Sequence, residues 1–410
     1  MITKLLIVAD DFTGALDTGI QLAKQGVSTR VFLDAKAWEL QEEAVVINTS
    51  SRHLSPGEAK KTVFETVKKA KDEGVAYFYK KTDSALRGNI AAEFEGMLEA
   101  CRAARICFVP AYPALGRLTK NGVHYVDGVK VSESVYGSDP FEPVRESDIS
   151  KLIQTRKNLS AAIKPPATMP GGQERVLVYD CQTEQDLEQT AKLFKQSGET
   201  VFAGCAGFAA YIGSIVDFGI KKTCFPKLQE GLLVASASVN PVAITQLNYA
   251  ETAGFSAVTL TAEQKTAENP GSISGFSELV SSIKSDFAAS GRILIRSVSH
   301  TESFIHPVGI DADLLRSRIA DNMGALIAVL IKEIDTNFLI IGGDLLSSTL
   351  SRLNVNSVVP AAESSPGVVA FEAEISGKKR TIFSKSGGFG KMGEIIKTEQ
   401  YIMEVNNGPE

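Results

Sequence analysis

"LLIVADDFTGALDTG" (residues 5–19) places two carboxylates side by side where an apolar run ends and a glycine-bearing helical pattern begins. The run Leu5 to Ala9 is short and continuously apolar, the pattern of a strand buried on both faces of a parallel sheet. In open α/β sheets, ligands bind at the carboxyl ends of the strands. Asp10 and Asp11 at such an end therefore point to a polar ligand, a cation or a proton to be removed. A helix start accounts for one of them, because Asp11 or Thr13 can cap and negative charge suits a helix N-terminus. Two carboxylates together with Thr13 and Gly14 are more than a cap needs.

The same strand-then-helix alternation continues outward. Residues 13–25 carry helical apolar spacing up to Gly26, and "AVVINTS" (44–50) reads as a strand. "SPGE" (55–58) combines a Ser cap, Pro at the first helical position and Glu three residues after the cap, opening a helix to about Glu73. Further strands are expected within "VAYFYKKTDSALRGN" (75–89) and "RICFVPAYP" (105–113). Residues 112–146 lose helical periodicity and gather Gly, Pro and Tyr, which predicts a looped or hairpin excursion over the sheet edge. "RVLVYDCQTEQDLEQTAKLF" (175–194) resumes the alternation, with Thr183 as a cap. A Pro-bearing connection, "CFPKLQEGLLV" (224–234), then leads to a second series: "LLVASAS", "AVTLTA", "RILIRSV" and "FLIIGGD". The expected division is 1–228 and 229–410. The ending alternates around Gly377 like an antiparallel hairpin, then passes through glycines into a helix of about Lys391 to Met403. The expected fold class is α/β: two α/β domains with mostly parallel sheets, an active site in the cleft between them, and a C-terminal β-hairpin and helix.

At 410 residues and 44% hydrophobic content, the chain is long enough for a sizeable core in two or three domains. A net charge of -5 gives no basic footprint for nucleic acid. Cys101, Cys107, Cys181, Cys205 and Cys224 are widely spaced without a CxxC, as buried thiols of a reducing compartment are. His53, His124, His300 and His306 form no HExxH, which disfavours a zinc hydrolase. No run approaches a membrane span and no signal-peptide core precedes the first strand, so a cytoplasmic protein with no membrane partner is expected. A homodimer is the base-rate expectation for assembly.

If the first three strand ends are neighbours, they bring together Asp10 and Asp11, Arg52 of "NTSSR", and Lys80, Lys81, Asp83, Ser84 and Arg87 of "KKTDSALRG". Such a mixture suits a small anionic polyol: Arg and Lys hold its carboxylate, while Ser, Thr and Asp take hydroxyls. For Arg52 or Lys81 alone, a surface ion pair is the commoner explanation. In the second half, "SASVN" (236–240), "GGD" (342–344) and "SKSGGFG" (384–390) all fall where strands give way to turns. Each alone is a weak signal; three in one domain favour a phosphate-bearing ligand. "GGFGKMG" is not a Walker A loop, since the first glycine is absent and Met392 stands where Ser or Thr belongs. Nor does a GxGxxG follow an early strand as in a dinucleotide-binding unit. Phosphoryl transfer ties the halves together, with acceptor on one, nucleotide on the other, and one of the two aspartates orienting or deprotonating the attacking hydroxyl.

Over nearly its whole length the chain resembles the four-carbon acid sugar kinase family. The resemblance rests on "ADDFTGALDTG", "KKTDSALRGN", "VPAYPALGRLTKNGVHYVDG" with "DPFEP" following, "GGD" and "SKSGGFG", in that order. It implies phosphorylation of the terminal hydroxyl of threonate, erythronate or 3-oxo-tetronate with ATP and magnesium, an N-terminal acid-sugar domain (1–228) and a C-terminal nucleotide domain (229–410). By position, Asp11, Arg52, Lys81, Thr82, Asp83 and Ser84 are implied as acid-sugar contacts, with Asp11 favoured as the catalytic carboxylate and Asp10 supporting it. Ser238 or Asn240, then Gly342, Gly343, Asp344, Leu345, and the glycines Gly387 and Gly388 are implied as nucleotide contacts. This chain reads "SASVN" where the family often reads SGSCS, and "GGDLL" where GGDTA or GGETA is common.

Two other templates fail. A haloacid-dehalogenase-type phosphatase needs DxDxT, and a receiver domain carries its phosphoacceptor after the third strand. A non-catalytic two-domain sensor of an acid sugar and a nucleotide is the alternative that assays of turnover separate from a kinase.

Overall fold

Five consecutive residues with no accessible surface, Leu5–Ala9, form β1, the doubly buried strand that the apolar run predicts. The computed structural model describes residues 2–139, 143–219, 228–300 and 311–407. It divides the chain into two compact units, Met1–Thr223 and Cys224–Glu410. Parts of "DPFEP" and of "CFPKLQEGLLV", with Cys224 and His306, lie outside the described residues.

In the first unit β1 is followed by α1 (Phe12–Ala23), β2 (Thr29–Phe32), β3 (Ala44–Asn48), α2 (Pro56–Asp72), β4 (Tyr77–Lys81), α3 (Ile90–Cys101) and β5 (Ile106–Val109). Then come β6 (Arg117–Lys120), β7 (Val123–Val126), β8 (Val129–Lys130), α4 (Ile149–Gln154) and β9 (Ala161–Lys164). The unit closes with β10 (Val176–Tyr179), α5 (Glu184–Ser197), β11 (Val201–Gly204), α6 (Ala206–Ala209) and α7 (Ile212–Ile215). Eight strands form a parallel sheet in the order β2-β3-β1-β4-β11-β5-β10-β9. The β1 strand therefore lies between β3 and β4, and the three strand ends singled out in the sequence share one edge. Residues 117–130 form the expected excursion, a separate antiparallel sheet β6-β7-β8. Helix α2 starts with the capping box of Ser55 and Glu58, and α5 with that of Thr183 and Asp186. Cys101, Cys107, Cys181 and Cys205 are free and buried, and burial pushes each thiol upward in pKa.

The second unit runs β12 (Leu232–Ser236), α8 (Pro241–Thr252), β13 (Ser256–Thr259), α9 (Ala262–Thr266), α10 (Phe276–Ser290), β14 (Arg292–Arg296), α11 (Ala312–Glu333), β15 (Asn337–Ile341) and α12 (Gly343–Arg352). It ends with β16 (Ser357–Ser365), β17 (Val368–Ile375), β18 (Lys378–Lys385) and α13 (Glu394–Asn407). Strands β13-β14-β12-β15-β18 are parallel, and β18-β17-β16 continue antiparallel. The expected hairpin about Gly377 is present, with its register running from Ile375↔Lys378 to Val368↔Lys385. The last helix starts at Glu394, later than the expected Lys391. The Glu394 carboxylate takes the Lys391 N–H at 3.1 Å and the Glu394 N–H returns to Lys391 O at 3.0 Å, so residues 391–394 make a turn before the helix. Among the described residues no helix is long and apolar enough to cross a membrane.

Candidate functional site

At the first edge the loops after β1, β3 and β4 are tied together by their own backbone. Thr49 N and Thr49 Oγ1 both donate to Ala9 O, at 2.9 and 2.8 Å, and Arg52 N donates to Asp10 O at 3.3 Å. Asn89, at the start of α3, donates through Nδ2 to the carbonyls of Ser51, Arg52 and Leu54. These bonds set the Arg52 side chain over the strand ends. Its Nε donates to Asp10 Oδ2 at 2.7 Å, its Nη2 lies 2.8 Å from Asp11 Oδ1 and 3.5 Å from Asp83 Oδ1. Asp83 in turn is held bidentately by Arg87, Nε to Oδ2 at 3.0 Å and Nη2 to Oδ1 at 2.8 Å. Lys81 Nζ donates to Thr82 O at 2.7 Å and stands beside Gly14.

Charge is balanced against burial throughout this cluster. Burial alone would raise the Asp10 pKa, but the Arg52, Lys80 and Lys81 charges hold it below the usual carboxylate range. Asp83 is driven further down: its burial is outweighed by Arg87 and Arg52 and by the Arg87 hydrogen bonds. Asp11 is the open member, with 29% of its side chain exposed against 2% for Asp10. It is also the N-cap of α1, accepting from Gly14 N at 3.1 Å, so the cap is Asp11 and not Thr13. Two buried polar atoms here have no hydrogen-bond partner, Asp10 Oδ1 and Thr82 Oγ1. Such atoms at the end of adjacent strands are what a ligand hydroxyl would satisfy. The Ser84 side chain is buried and its carbonyl accepts from His124 Nε2 at 2.9 Å.

At the second edge, β12, β15 and β18 are neighbours, so "SASVN", "GGD" and "SGGFG" converge as well. Ser238 Oγ accepts from Asn240 N at 3.2 Å, and Asn240 caps α8 by accepting from Val242 N at 2.9 Å. A Cβ on Gly387 would lie 2.7 Å from Ser238 Oγ, and one on Gly388 would lie 3.6 Å from Asn240 Nδ2. The glycine pair therefore faces the Ser238–Asn240 segment directly. Gly342, at φ +111°, precedes Gly343 and Asp344 in the first turn of α12. Asp344 is exposed, 3.5 Å from Arg316. Leu345 differs from the expectation of a contact residue in one respect: its side chain is 1% exposed and packs into the unit, leaving only its backbone to meet a ligand.

Sequence reasoning singled out Gly14 without giving it a task and missed three other residues that build these edges. Gly14 admits Asp11 and Lys81, since a Cβ there would be 2.5 Å from Asp11 Oδ1 and 2.8 Å from Lys81 Nζ. Asn89 had a readable signal, a helix-start residue behind "RG". His124 and Gln246 had none, being single polar residues in otherwise ordinary elements. His124 is fully buried, which lowers its pKa to about 4 despite the bond to Ser84 O. With Nε2–H donating to Ser84 O, its Nδ1 accepts from Thr119 Oγ1 at 3.1 Å. Among the described residues no group of three or more His, Cys, Asp or Glu side chains is placed to hold a metal ion by itself.

Two strand-end edges, one rich in paired acids and bases and the other in glycine turns, define a two-unit α/β protein with a mostly parallel sheet in each unit. Residues 5–212 match the model of the sugar-binding N-terminal domain and residues 233–393 that of the nucleotide-binding C-terminal domain. The chain belongs to the four-carbon acid sugar kinase family. A D-threonate kinase of Salmonella typhimurium is 33% identical over 224 residues, which span 50% of this chain and 52% of that protein. A D-threonate kinase of Bordetella bronchiseptica is 27% identical over 423 residues, 97% of each chain. A 3-oxo-tetronate kinase of Haemophilus influenzae is 25% identical over 94% of this chain and 96% of its own. Among solved structures, a Salmonella typhimurium LT2 protein provisionally called a tRNA synthase superposes with a TM-score of 0.81 at 20% identity, covering 97% of this chain and 99% of its own. A Haemophilus influenzae protein follows with 0.73 at 22% identity, covering 98% and 100%. These two likenesses show the fold.

Proposed function

We propose that the protein transfers the γ-phosphoryl group of ATP to the terminal hydroxyl of a four-carbon acid sugar. The observation that carries this reading is the pair of orphaned polar atoms, Asp10 Oδ1 and Thr82 Oγ1, set among Lys81, Arg52 and Arg87 at the edge that the sugar-binding family model covers. Cations there suit the sugar's carboxylate, and the orphaned atoms with Ser84 suit its hydroxyls. Asp11, the more accessible carboxylate of the pair, accepts the proton of the attacking hydroxyl. The sugar oxygen forms a bond to the γ-phosphorus, the bond from that phosphorus to the β–γ bridging oxygen breaks, and ADP leaves with the electron pair. Arg52, held on Asp10 and Asp11 at once, fixes the geometry of the base.

On the second unit, the turns of Ser238–Asn240, Gly342–Leu345 and Gly387–Gly388 suit the polyphosphate. Magnesium, which keeps several waters and takes one or two carboxylates together with phosphate oxygens, fits the exposed Asp344 beside the Gly342–Gly343 turn. It would supply charge neutralisation of the transferring group. Coupled ADP release with ATP and a panel of D- and L-threonate, D- and L-erythronate and 3-oxo-tetronates tests the proposal. Turnover of one panel member is expected. Binding of both ligands without any ADP release would make the protein a sensor and end the kinase reading.

A further inference from the structure

We infer that Lys385 and Gln246 are positioning residues that draw the carbonyl groups of the Ser386–Lys391 turn inward and thereby present its amide N–H groups to the polyphosphate of a nucleotide. The inference rests on the nucleotide reading of the second unit given above. Lys385 ends β18 without exposed surface, and its Nζ donates to Ser386 O at 2.7 Å and to Phe389 O at 2.8 Å. Gln246, equally buried in α8, donates through Nε2 to Phe389 O at 2.9 Å and to Lys391 O at 3.0 Å. One carbonyl, that of Phe389, is thus gripped from a strand and from a helix at once.

The consequence follows from peptide geometry. Across a planar trans peptide the carbonyl and the next N–H point in opposite directions. Turning Ser386 O inward turns the Gly387 N–H outward, and turning Phe389 O inward does the same to the Gly390 N–H. Among the described residues no acceptor takes either of these two N–H groups. Outward amides in a glycine turn form an anion-binding concavity, and the Gly387 side of this one faces Ser238 Oγ. The choice of lysine fits the same end. Burial brings the Lys385 ammonium down to about 7, against the opposing pull of Glu394 on α13. A merely space-filling residue would be apolar, because burying a charge is costly unless its donors are used.

The test measures ATP and acid-sugar affinity by calorimetry on the full chain, for the unaltered protein, Lys385→Met and Gln246→Met. Each variant is expected to bind ATP about 10-fold or more weakly, a loss of about 1.4 kcal/mol, with acid-sugar affinity within twofold. ATP affinity within twofold of the parent in a folded variant overturns the inference, as does an equal loss for both ligands. Should neither variant fold, hydrogen exchange on the unaltered protein decides. ATP is expected to slow exchange in residues 386–391, and an unchanged rate with ATP bound overturns the inference. A parent protein that binds no ATP at all removes the nucleotide reading itself, which is a different result from bound ATP with indifferent variants.

Discussion

The amide N–H of Gly14 donates to Asp11 Oδ1 at 3.1 Å, and the missing side chain of the same glycine leaves room for both Asp11 Oδ1 and Lys81 Nζ. Asp11 therefore has two tasks that a single substitution can separate. Asparagine caps a helix as well as aspartate does, so Asp11→Asn keeps the cap while removing the proton acceptor. Turnover is expected to fall by roughly 100-fold or more, the usual scale for a general base, with the melting temperature nearly unchanged. Near-parental turnover of the folded variant at saturating ATP and sugar would take Asp11 out of the mechanism.

Arg52 and Lys81 are expected to behave differently, although both lie at the acid-sugar edge. Arg52 lies against Asp10, Asp11 and Asp83 together. Arg52→Ala leaves buried carboxylates without their partner, a loss on the order of 3–5 kcal/mol, so both melting temperature and acid-sugar affinity should drop. Lys81 makes its hydrogen bond to the Thr82 carbonyl, and Lys81→Met should weaken acid-sugar binding at smaller cost to stability. ATP affinity should persist in both. Calorimetry with unchanged acid-sugar affinity in the two variants would refute the assignment of this edge.

Bulk at Gly388 is expected to act on nucleotide binding more than on folding. A Cβ there meets only Asn240 Nδ2, at an ordinary 3.6 Å, whereas at Gly387 it would press on Ser238 Oγ at 2.7 Å. Gly388→Val should fold and lose ATP affinity about 10-fold by holding the phosphates off the turn. A folded Gly388→Val protein with parental ATP affinity would make the turn purely structural.

His124 predicts an acid limb in the stability profile. Its folded pKa of about 4 lies below the ordinary 6.5, so between those values the unfolded chain binds a proton that the folded one does not. Stability from this group is complete above about 6.5 and is lost as pH falls toward 4. His124→Gln should lower stability at neutral pH and flatten the curve between pH 6.5 and 4; an equally steep curve in the variant would assign the limb to other groups.

Much of the fold was legible because doubly buried strands announce themselves: β1 is an unbroken apolar run, and β3, β12 and β15 each carry four consecutive apolar residues. The short strands β2, β9 and β11, four residues each, carry too little pattern to stand out. The candidate site was legible as residue types at strand ends, since Asp10, Arg52 and Asp83 come from three segments that each stop at a turn. Their partners were not, because pairing depends on sheet order. The sequence shows "NTSSR" and "KKTDS" as separate stretches, and only the flanking of β1 by β3 and β4 makes Arg52 the shared counter-ion of all three aspartates. Nothing in "SKSGGFG" marks Lys385, because its task depends on the turn folding back over its amine.

The cluster at the first edge sets Asp10, Asp11 and Asp83, with Asp139 3.9 Å from Arg87, against Arg52, Lys81 and Arg87, so it carries no net positive charge. A mouth without net positive charge casts no long-range attraction toward an anion in solution, and attraction begins only within hydrogen-bonding reach. Capture of the acid sugar should accordingly be set by diffusion and fit, with an association rate that changes less than about twofold between 20 and 300 mM salt, where a steered encounter would slow steeply. Stopped-flow measurement across that range distinguishes the two.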